Sequence, residues 1–145
     1  MKQIISVFIM SFTFAVPLIS QNTNHQIKEN KQWTIENCVN KFSWSDTIQT
    51  SVGYQYWFFD KDFIDGRTIK MSVVQPHSAT HSPHKHSEDE FFFVLEGTAE
   101  FYLEGETTIG EKFSAFYCPS SLEHGIKNIG DTELKYLVIK KYEIK

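Results

Sequence analysis

Three histidines and one glutamate in this sequence are spaced as ligands for a metal ion. His84 and His86 are two residues apart, and successive side chains of an extended chain point to opposite faces, so both imidazoles face the same side. Glu90 follows at a further even offset, and His124 offers a fourth ligand from a separate segment. This mixed set of nitrogen and oxygen donors suits a divalent first-row metal. The sequence therefore predicts a metal site made of these four residues.

The two segments that carry these residues resemble the signature motifs of the cupin superfamily. Residues 84–97 follow the pattern H-x-H-x3-E-x6-G, and residues 119–128 follow P-x-G-x2-H-x3-N with Ser121 in place of the glycine. Ser78 likewise stands where the first motif usually opens with glycine. The resemblance covers roughly residues 67–140. It implies an all-β fold, a single cupin jelly-roll β-barrel, and one divalent transition metal per chain, for which Mn, Fe, Ni, Co and Zn remain open.

The rest of the chain reads as a series of short strands. Apolar alternation and aromatic runs between turn residues predict them over residues 51–60, 67–75, 91–95, 98–103, 112–118, 125–129 and 134–142. We expect a first edge strand and a covering segment within residues 33–44, and a short connection between Gly105 and Gly110. No segment has a sustained helical period, which favours an all-β barrel or sandwich.

Alternation also assigns side chains to the two faces of each strand. The offset from Glu90 places Phe92 and Val94 in the barrel interior. In residues 67–75 we assign the odd-numbered positions to the inner face, so that Gln75 either faces the site or caps the rim. The assigned inner side chains of that strand are Arg67, Ile69, Met71, Val73 and Gln75, and the expected aromatic lining is Phe92, Phe101 and either Trp57 or Phe59.

The first twenty residues have the pattern of a secretory signal peptide. Lys2 precedes an apolar run that ends at Ser20, and polar residues and a proline interrupt that run, which favours cleavage over a membrane anchor. Residues 21–32 are a polar, flexible leader and residues 33–145 are the barrel domain. We therefore expect an exported protein, periplasmic or secreted, without stable membrane association after signal cleavage.

Charge and cysteine content narrow the range of partners. The chain has 14 Lys and Arg against 18 Asp and Glu, a formal net charge of -4, and no basic cluster, so it is a poor candidate for nucleic-acid binding. A small molecule or an oligosaccharide is the expected substrate. Cys38 and Cys118 are the only cysteines, and either a disulfide or two separate thiols remains open.

The resemblance to small cupins that linearise unsaturated uronates implies a function. It points to a metal-dependent lyase (dehydratase) or isomerase that acts on acidic sugars or uronate-containing oligosaccharides during polysaccharide degradation. Those relatives carry an Asp and an Arg near the last strand, whereas residues 138–142 read Val-Ile-Lys-Lys-Tyr here. A dioxygenase that uses Fe, Mn or Ni and a non-enzymatic sugar-binding cupin are the alternatives.

A catalytic side chain and a dimer are also expected. His81, three residues before His84, is the best candidate for the catalytic proton carrier. Tyr102 and Tyr117 are weaker candidates because alternation puts them on the opposite face. Residues 91–95 and 134–139 are apolar on both faces, and cupins commonly pair through such a surface, so a homodimer is expected.

Overall fold

Nine β-strands form within residues 32–144, the part of the chain that the computed structural model describes. They are β1 (Ile48–Thr50), β2 (Gly53–Phe59), β3 (Arg67–Val74), β4 (Glu90–Glu96), β5 (Ala99–Leu103), β6 (Glu106–Gly110), β7 (Ala115–Cys118), β8 (His124–Asn128) and β9 (Leu134–Lys141). The predicted signal peptide and all but the last residue of the predicted leader lie outside the described residues, so export stays a prediction. No helix within residues 32–144 has the length and apolar character needed to cross a membrane.

The strands form two antiparallel sheets with the core between them. One sheet has six strands in the order β1-β2-β3-β9-β4-β7, and the other has three in the order β6-β5-β8. Aromatic side chains from both sheets meet in the core: the ring of Phe101 stacks on Phe116 with centroids 4.6 Å apart, and Phe92 meets Phe101 edge-on at 6.3 Å. The fold is the predicted all-β jelly-roll barrel.

The start of the domain differs from the prediction. Residues 33–44 contain no strand; instead Ile35–Cys38 forms a one-turn helix, α1, and Trp44–Asp46 a 3-10 helix. The cause of α1 is local, since the Thr34 side chain accepts a hydrogen bond from the Asn37 backbone N–H and the Asn37 side chain accepts one from Thr34 in return. The first edge strand is β1, which pairs with β2.

The predicted connection between Gly105 and Gly110 is also wrong, because these residues form strand β6. It pairs with β5 through a tight turn in which Glu104 and Gly105 both have positive φ, 48° and 94°. Four of the five β6 residues are exposed, so the strand lacks the apolar alternation by which a sequence reveals one.

The face assignment is confirmed on β4 and wrong on β3. Glu90, Phe92 and Val94 are buried, whereas Phe91 is about half exposed. On β3, by contrast, the even positions face inward: Lys70 and Ser72 line the central cavity, while Gln75 is exposed.

The odd positions of β3 were misassigned because they too are covered. Val73 is fully buried on the outer face, and Ile69 joins an outer apolar depression that also contains Phe59. When both faces of a strand are packed, the apolar side of the pattern no longer identifies the barrel interior. Phe59 is therefore not part of the interior, whereas Phe92 and Phe101 are.

Candidate metal centre

The four predicted ligands converge at one end of the barrel. His84 and His86 lie in the loop before β4, Glu90 begins β4, and His124 begins β8. The backbones of His84 and His124 exchange two N–H···O bonds of 3.0 Å, which joins the two sheets at this point. The ligand nitrogens of the three histidines lie within 4.8 Å of one another. The Oε1 atom of Glu90 is 3.2 Å from His124 Nε2 and 3.5 Å from His86 Nε2.

Backbone carbonyl groups orient all three imidazoles. Each Nδ1 faces the carbonyl oxygen of a residue two positions away, at 2.7 Å for His86, 2.8 Å for His124 and 3.3 Å for His84. Because a carbonyl oxygen can only accept, each Nδ1 is placed to donate to it, which leaves the Nε2 of each ring as the nitrogen available to an ion. This is the arrangement that metal-binding histidines require. The Nε2 of His124 is also within hydrogen-bonding distance of Glu90 Oε1.

One buried nitrogen is placed to take a ligand. Among the described residues, His86 Nε2 is the single buried side-chain nitrogen or oxygen atom without a hydrogen-bond partner. A buried polar atom without a partner is costly, and native structures contain few of them. Three imidazole nitrogens and a carboxylate suit a divalent transition metal, so the residues present fit such an ion, whose identity the donor set leaves open.

The turn before His124 shows why the motif usually has glycine. Ser121 has a φ of 66°, in the left-handed region that glycine adopts without a steric cost. Its backbone N–H donates to the carbonyl of His86 over 2.8 Å, which connects the second motif to the first. Ser78, the other replacement for glycine, does not have a positive φ.

Asn128, the last residue of the second motif, anchors the loop that leads to the histidines. Its side-chain amide donates to the carbonyl oxygens of Val74 and Gln75, both at 3.0 Å. Its backbone N–H donates to Ser78 over 2.8 Å. These hydrogen bonds fix the position at which the loop leaves β3.

His84, His86 and Glu90 line a cavity of about 260 Å³. This volume is just below the usual range for ligand sites, so the cavity accommodates a single small ring or a short acid. Its walls are mixed in character, with two lysines and several hydroxyl groups beside aromatic rings. The side chains that matter most for chemistry are Lys70, Ser72, Thr80, His81, Tyr136 and Lys140.

Two lysines in this wall were missed by the strand pattern. The side chain of Lys140 is only 8% exposed, and its Nζ lies 3.7 Å from Glu88 and 3.8 Å from Glu90. Lys70 has no ion pair with any described residue, and its Nζ lies 5.2 Å from the ring centroid of Trp57. Burial lowers the pKa of Lys70, and the charge of Lys140 lowers it further while Glu90 opposes the shift.

Lys70 was missed because its face of β3 was assigned to solvent. The polar side chains of Thr68, Lys70 and Ser72 alternate along β3. A polar face of this kind fits a polar cavity as well as it fits solvent. Lys140 belongs to the segment that departs from the uronate-linearising relatives, and the structure shows that this segment still directs a basic side chain toward the ligands.

The structure separates the three candidate proton carriers. His81 lines the cavity with its ring 5.0 Å from that of His84, and partial burial together with the charges of His84 and Lys70 lowers its pKa. Tyr102 donates to Glu123 over 2.7 Å and Tyr117 to Asp89 over 3.2 Å, and neither lines the cavity. Of the three, only His81 lines the cavity.

Tyr136 is a further hydroxyl group in the cavity wall that the sequence did not single out. Its side chain is 3% exposed and lines the cavity. Burial raises its pKa, although hydrogen bonds with Thr80 and Ser72 act in the opposite direction. The hydroxyl therefore keeps its proton at neutral pH and can serve as a donor.

Cys118 lies behind the ligands and is not paired. Its thiol is within 4.8 Å of ligand atoms of Glu90 and His124, and burial followed by the charge of Glu90 raises its pKa to about 12. Cys38 is exposed, and both thiols are free. The structure thus has two separate thiols rather than a disulfide.

Comparison with known proteins agrees with this geometry. Residues 70–140 match the cupin domain, so the chain belongs to the cupin superfamily. No curated protein sequence shows significant similarity to it.

Solved structures share the fold at low sequence identity. A predicted oxalate decarboxylase from Thermotoga maritima is 23% identical, with 61% of this chain and 78% of that chain covered and a TM-score of 0.57. A Cupin 2 conserved barrel domain protein from Salinispora arenicola is 15% identical, with 72% and 87% covered and a TM-score of 0.60. KdgF from Halomonas sp. is 19% identical, with 62% and 79% covered and a TM-score of 0.54. At these identities the comparison establishes the fold.

Proposed function

We propose that this protein is a metal-dependent lyase (dehydratase) or isomerase that acts on a small acidic sugar. The observation that carries the proposal is the position of Lys70, a half-buried ammonium group without an ion pair in the described chain, in the same cavity as His84, His86 and Glu90. A carboxylate on the substrate supplies the partner that this ammonium lacks. The size of the cavity favours one sugar unit as the reacting group.

Four residues hold the ion and others carry the proton. His84, His86, Glu90 and His124 bind the metal, which when bound supplies Lewis-acid stabilisation of negative charge on substrate oxygens. His81 accepts the proton from the carbon next to the carboxylate. In a dehydration the departing hydroxyl takes a proton from Tyr136 and leaves as water; in an isomerisation the proton returns to a different carbon.

The remaining wall residues orient the substrate. Ion pairs with Glu88 and Glu90 hold the Lys140 side chain in the cavity wall. Its charge therefore stays close to the reacting carboxylate. Lys70 fixes the carboxylate and thereby the carbon that loses its proton. Positioning of this kind contributes to the rate because the reacting groups no longer have to find one another.

The test is to incubate the metal-loaded protein with unsaturated uronates and uronate-containing oligosaccharides, first without oxygen and then with it. Absorbance of the unsaturated uronate and product mass are followed together. We expect loss of one water, or rearrangement at constant mass, in the absence of oxygen. Turnover that requires oxygen and adds oxygen atoms to the product would favour a dioxygenase, and binding without turnover would favour a sugar-binding protein.

The Lys70→Gln variant tests the role given to the carboxylate. Loss of a charge-assisted contact is expected to raise KM for the acidic substrate by roughly tenfold or more. Lys61→Gln is the matched control, because Lys61 is exposed and does not line the cavity. An unchanged KM in Lys70→Gln would contradict the proposal that Lys70 binds the acid.

A further inference from the structure

A second cleft lies on the outer face of the three-stranded sheet, next to the metal-site cavity. It has a volume of about 440 Å³ and is bounded by β5, β6 and β8 on one side and by the loop of residues 79–83 on the other. His81, Gly125 and Ile126 border both the cavity and the cleft. The two spaces are thus neighbours on either side of the wall that carries the proposed proton acceptor.

The register of the strands places a defined set of side chains in this cleft. Ala99 and Phe101 of β5 are buried in the core, so Glu100 and Tyr102 project to the outer face. Directly paired residues share a face, and Tyr102 is paired with Thr107 on one side and Gly125 on the other. Glu100 is paired with Lys127 in the same way.

Tyr102 forms a fixed aromatic wall of the cleft. Its hydroxyl donates to Glu123 over 2.7 Å, which holds the ring in place. Gly125, its neighbour across the strands, is covered by Pro83, whose Cα lies 3.3 Å from the position that a Cβ would occupy. An aromatic ring and a proline ring therefore both border the cleft.

This combination suits a hydroxyl-rich ring. The aliphatic face of a sugar packs against aromatic and prolyl surfaces, while Glu100, Lys127 and Thr107 offer an acceptor, a donor and a hydroxyl group to its edge. The charges of Glu100 and Lys127 offset each other, so the cleft has no preference for an anion. The cavity, in contrast, has two lysines.

We propose that the cleft is a binding subsite for a neutral sugar unit linked to the acidic unit in the cavity. The inference rests on the function proposed above, and it specifies the substrate as the acidic end of a short oligosaccharide rather than a free monosaccharide. The glycosidic bond passes His81, one of the three residues that border both spaces.

The experiment compares the binding of two acids by isothermal titration calorimetry on the metal-loaded protein. The probes are glucuronic acid and glucuronosyl-xylose, which share the saturated acidic unit and differ by one neutral sugar. We expect the disaccharide to bind roughly five- to tenfold more tightly, as one aromatic contact and its polar neighbours allow. Tyr102→Ala is expected to remove this difference and to leave the affinity for glucuronic acid unchanged.

Two variants control the result. Tyr117→Ala removes another tyrosine whose hydroxyl is bound to a carboxylate, but on the other sheet, and is expected to preserve the preference for the disaccharide. Lys127→Ala alters an exposed side chain of the cleft and is expected to reduce the preference without touching Tyr102.

Three results would overturn the inference, and they are distinguishable. Equal affinities for the two acids in the unaltered protein would remove the subsite and leave the proposed function standing. If Tyr102→Ala weakened the binding of both acids equally, the subsite would likewise be excluded, because Tyr102 would then affect binding in the cavity itself. Failure of both acids to bind would overturn the proposed function and the subsite together.

Discussion

The buried Nε2 atom of His86 is the residue-level feature that most directly calls for a ligand. Its ring is fixed through Nδ1, so it cannot rotate to find a protein partner without losing the 2.7 Å bond to the Glu88 carbonyl. The lone pair of this Nε2 atom is therefore held in a fixed, buried position. Metal coordination is the chemistry that uses such a lone pair together with its two neighbours.

The first prediction follows from this geometry. His86→Ala is expected to lower metal affinity by more than about tenfold, because a missing ligand costs at least as much as the loss of a residue that only orients one. Elemental analysis of the purified protein measures the content, with close to one divalent transition metal per chain expected before substitution. His77→Ala is the control, since His77 is exposed and paired with Asp131 instead. Equal metal content in the two variants would remove His86 from the site.

A second prediction concerns the backbone at Ser121. Left-handed φ costs a non-glycine residue about 1 kcal/mol, so Ser121→Gly is expected to raise the free energy of unfolding by about that amount with unchanged metal content. Chemical denaturation measures the change. Ser120→Gly provides the comparison: Ser120 lacks a positive φ and its hydroxyl donates to the Ser87 carbonyl, so this variant is expected to be destabilised. A lower free energy of unfolding in Ser121→Gly would contradict the expectation that the left-handed φ strains the backbone at this position.

At the scale of elements, the outer face of the six-stranded sheet is apolar, and it is exposed where β4 and β9 lie side by side. Phe91 on β4 is 47% exposed and Ile139 on β9 is 40% exposed, and both line the apolar depression that also contains Ile69 and Phe59. Exposed apolar surface of this kind marks an interaction site more often than a free surface. We propose that a second copy of the chain covers it.

The third prediction tests that dimer. The unaltered protein is expected to sediment as a dimer, and Ile139→Lys to sediment as a monomer because it places a charge within the apolar contact. Ile109→Lys is the control: Ile109 is 64% exposed on β6, in the other sheet. Sedimentation of the unaltered protein as a monomer at micromolar concentration would contradict the proposal.

Individual elements show which features of the fold the sequence predicts and which it does not. The ligands were predictable because their spacing within two motifs determines their convergence, and β4 was predictable because a buried glutamate marked its inner face. Lys70 was not, because β3 is covered on both faces and its polar side faces the cavity. Strand β6 and helix α1 were not, because one lacks an apolar side and the other depends on a single pair of capping residues.

At the scale of the whole molecule, the metal site joins the two sheets. Glu90 belongs to the six-stranded sheet and His124 to the three-stranded sheet. An ion bound to both connects two residues that are separated by 33 residues of chain. It binds the folded state alone, because the unfolded chain does not bring these ligands together.

The fourth prediction is a loss of stability on metal removal. With free metal at a hundredfold excess over Kd, binding adds roughly 3 kcal/mol to the free energy of unfolding, so removal of the ion by a chelator is expected to lower Tm by roughly 10 °C. Differential scanning calorimetry measures the shift. His86→Ala is the control and is expected to respond less to the chelator, because its weaker metal binding adds less to the free energy of unfolding. An identical Tm with and without the ion would show that the ion does not connect the sheets.

The loop of residues 76–83 has a consequence for how such a protein changes over evolution. It is anchored at one end by Asn128, through Gln75 and Ser78, and at the other by the paired backbones of His84 and His124. It supplies His81 and a wall shared by two binding spaces but none of the four ligands. Substitutions in this loop can therefore reshape both spaces while the anchors and the four candidate ligands are kept, so that a change of ligand preference requires only one segment to mutate.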